Sequence, residues 1–183
     1  MVSNVRSRLL NYYREVVLCD TEFRTTGNGS VLVRCVCARE LRSGREHRLW
    51  VEGMPRCPYP TDNRILFAAH YASAEVISHK SLGWPIPINV LDTCIEFSAL
   101  TSGLRGKNQK RSLLGALRYF GIDSLDVDVK QELRNLAMAD KRNEDYTPEE
   151  RRGLLDYCWS DVEALRKLLP KLEPYLCNRS REI

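Results

Sequence analysis

Four carboxylates, a phenol and a short basic stretch carry most of the chemistry this sequence offers. Asp20-Thr21-Glu22 follows the β-prone apolar run Val16-Val17-Leu18-Cys19. Side chains two apart on a strand share a face, so Asp20 and Glu22 point together. Two carboxylates that close repel unless a cation lies between them, and hard divalent ions such as Mg²⁺ take oxygen ligands of this kind. An ordinary pair of exposed acids at a strand exit reads the same way, so D-x-E alone decides nothing. Tyr157 and Asp161, in Tyr157-Cys158-Trp159-Ser160-Asp161, stand one turn apart on a helical face, where a phenol and a carboxylate can reach one bound group. The plain alternative packs Tyr157 at the core edge and leaves Asp161 in solvent. Glu75, in His70-Tyr71-Ala72-Ser73-Ala74-Glu75, falls in the first turn of an expected helix, where the helix dipole by itself favours an acid. Arg105, Lys107, Lys110 and Arg111, interleaved with Gly103 and Gly106, read as a flexible basic loop that either meets phosphate or is simply solvated.

The elements that must position these groups follow from periodicity and turn chemistry. Residues 5–15 have apolar positions at helical spacing and predict a short opening helix; Val16–Cys19 predicts a central strand, buried on both faces, that ends in the acids. Gly27-Asn28-Gly29 signals a turn, after which residues 31–38 and 46–51 predict two strands joined across Ser43-Gly44, an antiparallel meander. A Pro-rich connection, Pro55 to Pro60, leads to the apolar run Ile65–Ala69 and a helix over 72–82, stopped by Gly83-Trp84-Pro85. Ile88–Asp92 predicts a further strand, which completes a β-α-β crossover and hence a parallel pair. Helices are expected over 93–101, 112–120, 126–139 and 148–169, the last behind the start signature Thr147-Pro148-Glu149-Glu150. Strands, one crossover and then helices is the order of a ribonuclease H-like α/β fold, with a mixed central sheet and helices on both faces.

With 183 residues and 43% apolar composition the chain can bury one sizeable core, so residues 1–183 are expected to form a single domain with 174–183 as a tail or linker stub. A formal charge of +4 permits a polyanionic partner without demanding one. Seven cysteines, an odd count without paired CxxC spacing, argue against a zinc site and a secreted disulfide framework. Arg6, Arg8, Arg14 and Glu15 interrupt any signal-like apolar run, and no stretch approaches the roughly 18 apolar residues of a membrane span, so a reduced, cytoplasmic setting is expected.

Taken in order, D-x-E near the N-terminus, an acid on the middle helix and Y-x-x-x-D in the last helix resemble the DEDDy-type 3′-5′ exonucleases, the proofreading domains of type I (family A) DNA polymerases, over nearly the whole chain. The segments Leu66–Glu75, Leu82–Pro85, Val90–Asp92 and Leu155–Val162 are similar to exonuclease domains that precede phage and prophage type I polymerases. The resemblance implies a two-metal hydrolysis with Mg²⁺ or Mn²⁺. In it Asp20 bridges both ions, Glu22 and Asp161 complete one site, Glu75 acts through the second, and Tyr157 orients the attacking water. It also implies that the Thr21 backbone and the Phe23 ring touch the terminal nucleotide, while Arg105 and Lys107 belong to a basic groove. The implied partner is single-stranded DNA or a DNA 3′ end, with or without a polymerase domain. The family usually carries Asp in the second motif with Asn four positions earlier; here Glu75 and Tyr71 stand there. Asp92 is therefore an alternative ligand to Glu75, although it would equally cap the helix beginning at Thr93. The departure also leaves open a catalytically impaired nucleic-acid-binding domain of the same fold, and an exoribonuclease is the remaining alternative.

Overall fold

The computed structural model describes residues 7–26, 29–102, 111–123 and 127–176. Five strands form one sheet in the order β3-β2-β1-β4-β5. The long β1 (Glu15–Thr25) lies between β2 (Val31–Glu40), which pairs with it antiparallel, and β4 (Ile65–Ala69), which pairs with it parallel. β3 (Glu46–Trp50) extends the antiparallel side, and β5 (Asn89–Asp92) pairs parallel with β4 after the crossover helix α1 (Ser73–Ser81). The helices α2 (Thr93–Thr101), α3 (Leu113–Tyr119), α4 (Val127–Ala137) and α5 (Pro148–Leu172) follow. This is a ribonuclease H-like α/β fold with a mixed sheet covered on both faces.

Alternation along β1 divides the core. Val16 and Leu18 pack with Leu154, Cys158, Val162 and Leu165 of α5 on one face. Val17 and Cys19 pack with Phe67, Ala72, Leu82 and Trp84 on the α1 face. The central strands thus have no solvated face, which is why their sequences run apolar without alternation. Gly44, at φ +73°, closes the β2–β3 turn where a left-handed residue is needed, and Gly83, at φ +65°, ends the run after α1. Thr147 caps α5, and Thr147 and Glu150 form the reciprocal capping box expected of that signature.

Two expectations are corrected. Of the helix expected over residues 5–15, the described residues, from Ser7 on, form only a 3₁₀ turn at Arg8–Asn11, and the chain is extended from Glu15. The carbonyls of Leu10, Tyr13 and Arg14 accept from the Arg42 guanidinium, and the buried Glu15 carboxylate accepts from the backbone N–H groups of Arg42 and Ser43. These tertiary partners replace the helical ones that periodicity implies. Second, β1 does not end at the acids but runs through them to Thr25, because β2 pairs along its length to Thr25↔Val31, with an irregularity between Glu22 and Phe23. After α5 a 3₁₀ turn spans Glu173–Tyr175, Leu176 packs against the Phe97 and Leu172 cluster, and Glu173 accepts from the Arg8 N–H at 3.0 Å. Residues 177–183 lie outside the described ones, and no described helix is long and apolar enough to cross a membrane.

Candidate active site

β1 keeps its parallel partner only as far as Leu18↔Ala68. β4 ends at Ala69, and the chain turns away through His70 and Tyr71, whose φ of +72° is left-handed, into α1. Beyond Leu18 the β4 edge of β1 is therefore open, and Asp20 and Glu22 stand in that opening. It lies at the carboxyl ends of the parallel strands, the crevice where open α/β sheets bind ligands.

Each wall of the crevice brings one acidic group. On the α5 side, Cys158 donates its thiol to the Asp20 carbonyl at 3.2 Å, and Cys37 donates to the Leu155 carbonyl at 3.5 Å. Cys35 and Cys37 are the cross-strand partners of Glu22 and Asp20. Small thiols at these three positions let α5 lie directly over the acids, with Tyr157 and Asp161 in register beside them. On the α1 side, the buried Thr21 hydroxyl donates to Glu75 Oε1 at 3.4 Å and lies 3.1 Å from Ser78 Oγ. Glu75 is 3% exposed, and its Oε2 is buried without a hydrogen-bond partner among the described residues. A buried carboxylate oxygen left in that state is costly unless a cation or proton meets it.

The electrostatics show how closely the groups converge. Burial pushes the Glu22 carboxyl well above the usual carboxylate range, and the charges of Asp20, Asp161 and Glu75 push it further, opposed by the Arg134 guanidinium. Glu75 is raised first by burial and then by Asp20. The Tyr157 phenol is raised by burial and by Glu22, Asp161 and Asp20, so it keeps its proton at neutral pH and stays a donor. Acids from β1, α1 and α5 thus act on one another. Among the described residues no group of three or more His, Cys, Asp or Glu side chains is arranged to hold a metal ion. The donors that face one another are nonetheless all hard oxygens, which suits Mg²⁺ or Mn²⁺. The buried thiols of Cys35 and Cys158 are raised by desolvation and remain thiols, which makes them poor ligands.

Asp92 has a different occupation. Its Oδ1 accepts from the backbone N–H groups of Tyr71 at 3.0 Å, Cys94 at 2.9 Å and Ile95 at 3.3 Å, and its Oδ2 accepts from Ala72 at 2.9 Å. It caps α2 and clamps the left-handed turn that aims α1 at the acids. Thr21 is buried, and Phe23 is half-buried against the α1-side cluster. Arg105 and Lys107 lie outside the described residues. The chain resumes at Arg111, whose carbonyl accepts from His70 Nε2 at 2.9 Å. Two groups whose charges bear on the acids were not singled out in the sequence: His70, which feels Asp161, and Arg134, which opposes the shifts of Glu22 and Tyr157. A lone arginine in an amphipathic helix has no spacing that would mark it.

No protein-family model matches the chain, and no curated protein matches its sequence. Among solved structures the chain is similar to a nuclease in its apo form, with a TM-score of 0.62 and 18% identity over 93% of this chain and 77% of that one. It is also similar to Escherichia coli RNase D, an exoribonuclease involved in structured RNA processing, with a TM-score of 0.52 and 17% identity. That match covers 87% of this chain and 40% of RNase D. At these identities the likeness is one of fold.

Proposed function

We propose that this chain is a metal-dependent 3′-5′ exonuclease of the DEDDy type that hydrolyses the last phosphodiester of a DNA strand at Asp20, Glu22, Glu75 and Asp161. The observation that carries the reading is that α1 and α5 meet β1 at its acids, where Cys158 bonds the Asp20 carbonyl and Thr21 bonds Glu75, and burial together with the charges of Asp20, Asp161 and Glu75 raises Glu22. Repulsion of that kind costs folding stability and is characteristic of sites that serve chemistry. Divalent ions held among these acids would offset that repulsion. Two such ions would lower the pKa of a bound water and offset the charge on the leaving 3′ oxygen.

The protein's part is placement. Asp20 is, after burial, the largest influence on both Glu22 and Glu75 and so stands where it can serve both ions. Glu22 and Asp161 would hold one ion. Glu75 would hold the other through Oε2, since Thr21 engages its Oε1 and thereby fixes the side chain. Glu75 stands in the buried first turn of α1, where the family usually carries Asp. Tyr157 would donate its phenolic hydrogen to the attacking water one helical turn from Asp161. The Thr21 backbone, Phe23, Arg105 and Lys107 would meet the strand end, whose binding rests on stacking and charge rather than base reading.

The test is digestion of end-labelled single-stranded and duplex DNA with and without Mn²⁺. Release of nucleotides from the 3′ end, dependent on the ion and abolished in Asp20→Ala, is the expected result. An Asp20→Ala protein that digests as fast as the parent refutes the assignment, and DNA binding without turnover under any divalent ion favours a non-catalytic binding domain. The fold shared with RNase D makes RNA the second substrate reading, and matched DNA and RNA oligonucleotides decide between them.

A further inference from the structure

We propose that Tyr71 is a stacking platform for a nucleobase of the bound strand, a substrate-binding role that rests on the exonuclease reading above. Strand register places it at the rim of the crevice. Leu18 pairs with Ala68; Asp20 stands two residues beyond Leu18, and Tyr71 stands three beyond Ala68, where β4 has ended. Neighbouring strands run about 4.8 Å apart, so the Tyr71 backbone borders the opening that holds the acids. From there the chain enters α1 directly: the Ala74 N–H donates to the Tyr71 carbonyl at 3.0 Å, and Glu75 follows in the first turn. Both flanks of Tyr71 are pinned. The His70 ring lies between Thr93 Oγ1 at 3.0 Å and the Arg111 carbonyl at 2.9 Å. The N–H groups of Tyr71 and Ala72 donate to Asp92 at 3.0 and 2.9 Å, and Ala72 is buried.

The side chain has no such anchor. It is 64% exposed and makes no hydrogen bond or ring contact among the described residues. Tyr71 is also the one non-glycine among the described residues with a positive φ, at +72°. A bulky side chain in that conformation costs free energy that glycine would not, and asparagine tolerates it better. An aromatic left this exposed recovers little of that cost by packing. Strain kept at the mouth of a crevice indicates a use for the side chain when the site is filled. A planar ring on a fixed backbone offers its face to a nucleobase at small entropic cost, and stacking accepts any base because every base has a π-face. Two competing roles are a phenolic hydroxyl that bonds a phosphate and a turn residue that meets no ligand.

Tyr71→Gly, Tyr71→Asn and Tyr71→Phe separate the three roles. With a 5′-fluorescein-labelled single-stranded DNA oligonucleotide in Ca²⁺, read by fluorescence anisotropy, Tyr71→Gly and Tyr71→Asn should bind roughly tenfold more weakly than the parent. Their salt slopes should match the parent's, because no charge is lost. Tyr71→Phe keeps the ring and should bind as the parent does. Abasic sites at the 3′ end of the oligonucleotide should weaken the parent more than Tyr71→Gly, which has no ring to lose the bases. Gly and Asn both accept the left-handed turn, so thermal melts of these variants should stay close to the parent's. In Mn²⁺-driven digestion Tyr71→Gly should raise KM by a similar factor while the Mn²⁺ concentration for half-maximal rate is unchanged. Unchanged strand affinity in Tyr71→Gly and Tyr71→Asn overturns the proposal. So does a Tyr71→Phe loss as large as theirs, which would assign the contact to the hydroxyl. A parent protein that binds DNA but never cleaves it would sink the exonuclease reading alone, since the anisotropy comparison still judges Tyr71.

Discussion

Removal of the Asp92 carboxylate tests whether this acid is a structural clamp or a metal ligand. Four backbone N–H groups lose their acceptor in Asp92→Ala. Loss of an N-cap side chain costs about 1 kcal/mol, within a range of roughly 0.5–2. The part-buried Ala72 N–H adds about 1 kcal/mol, and the exposed N–H of Tyr71 adds less. Tyr71 is then free to leave its left-handed conformation, which returns up to about 1 kcal/mol. The net expectation is a loss of about 2 kcal/mol. For a chain of 183 residues this lowers Tm by roughly 4–8 °C in a thermal melt. Asp92→Asn, with its amide oxygen at Oδ1, keeps the bonds from Tyr71, Cys94 and Ile95 and sets an NH₂ group against the Ala72 N–H, so it should lose about half as much. If Asp92→Ala melts with the parent yet binds Mn²⁺ as poorly as Asp20→Ala, the clamp assignment is refuted and Asp92 joins the ligands.

Glu75 has a folded pKa raised by burial and by Asp20, so the folded state holds its proton more tightly than the unfolded chain does. That contribution to stability is fully present below the ordinary glutamate range and is lost as pH rises through it toward the folded value. Metal-free Glu75→Gln should therefore melt higher than the parent at pH 8 and together with it at pH 4; equal destabilisation at both pH values would refute the argument. Tyr157→Phe removes only the hydrogen that orients the water, so kcat should fall roughly 10²-fold with Mn²⁺ binding unchanged, and a variant as fast as the parent would remove Tyr157 from the mechanism.

Much of the arrangement was legible because a few signals are physically strict. The apolar run Val16–Cys19, the crossover from Ile65–Ala69 to β5, and the Thr147 capping box each admit few alternatives, and together they specify the mixed sheet and the last helix. The three acidic motifs were legible as a set for the same reason: alternation and four-residue spacing fix which side chains share a face. What was hidden depends on contacts between distant segments. Nothing local says that β1 runs on through Asp20 and Glu22, because the partner that extends it, β2, lies beyond the turn. Alternation turns Thr21 away from Asp20, but nothing local says that it meets Glu75, or that Cys35, Cys37 and Cys158 seat α5 over the acids. The helix expected over residues 5–15 failed because Arg42, far along the chain, takes its carbonyls. Sequence favoured Glu75 over Asp92 only by motif order, since each is an acid at a helix start; that four backbone N–H groups occupy Asp92 is visible only in the fold.

The account stands on Asp161 sharing divalent cations with Asp20 and Glu22, residues that only the fold brings together. Titration of Mn²⁺ into the parent, Asp20→Ala and Asp161→Ala, followed by the loss of the free-ion EPR signal, measures this directly. Binding weakened roughly tenfold or more in both variants is the predicted result. Asp161→Ala binding Mn²⁺ as the parent does, while Asp20→Ala does not, would contradict it.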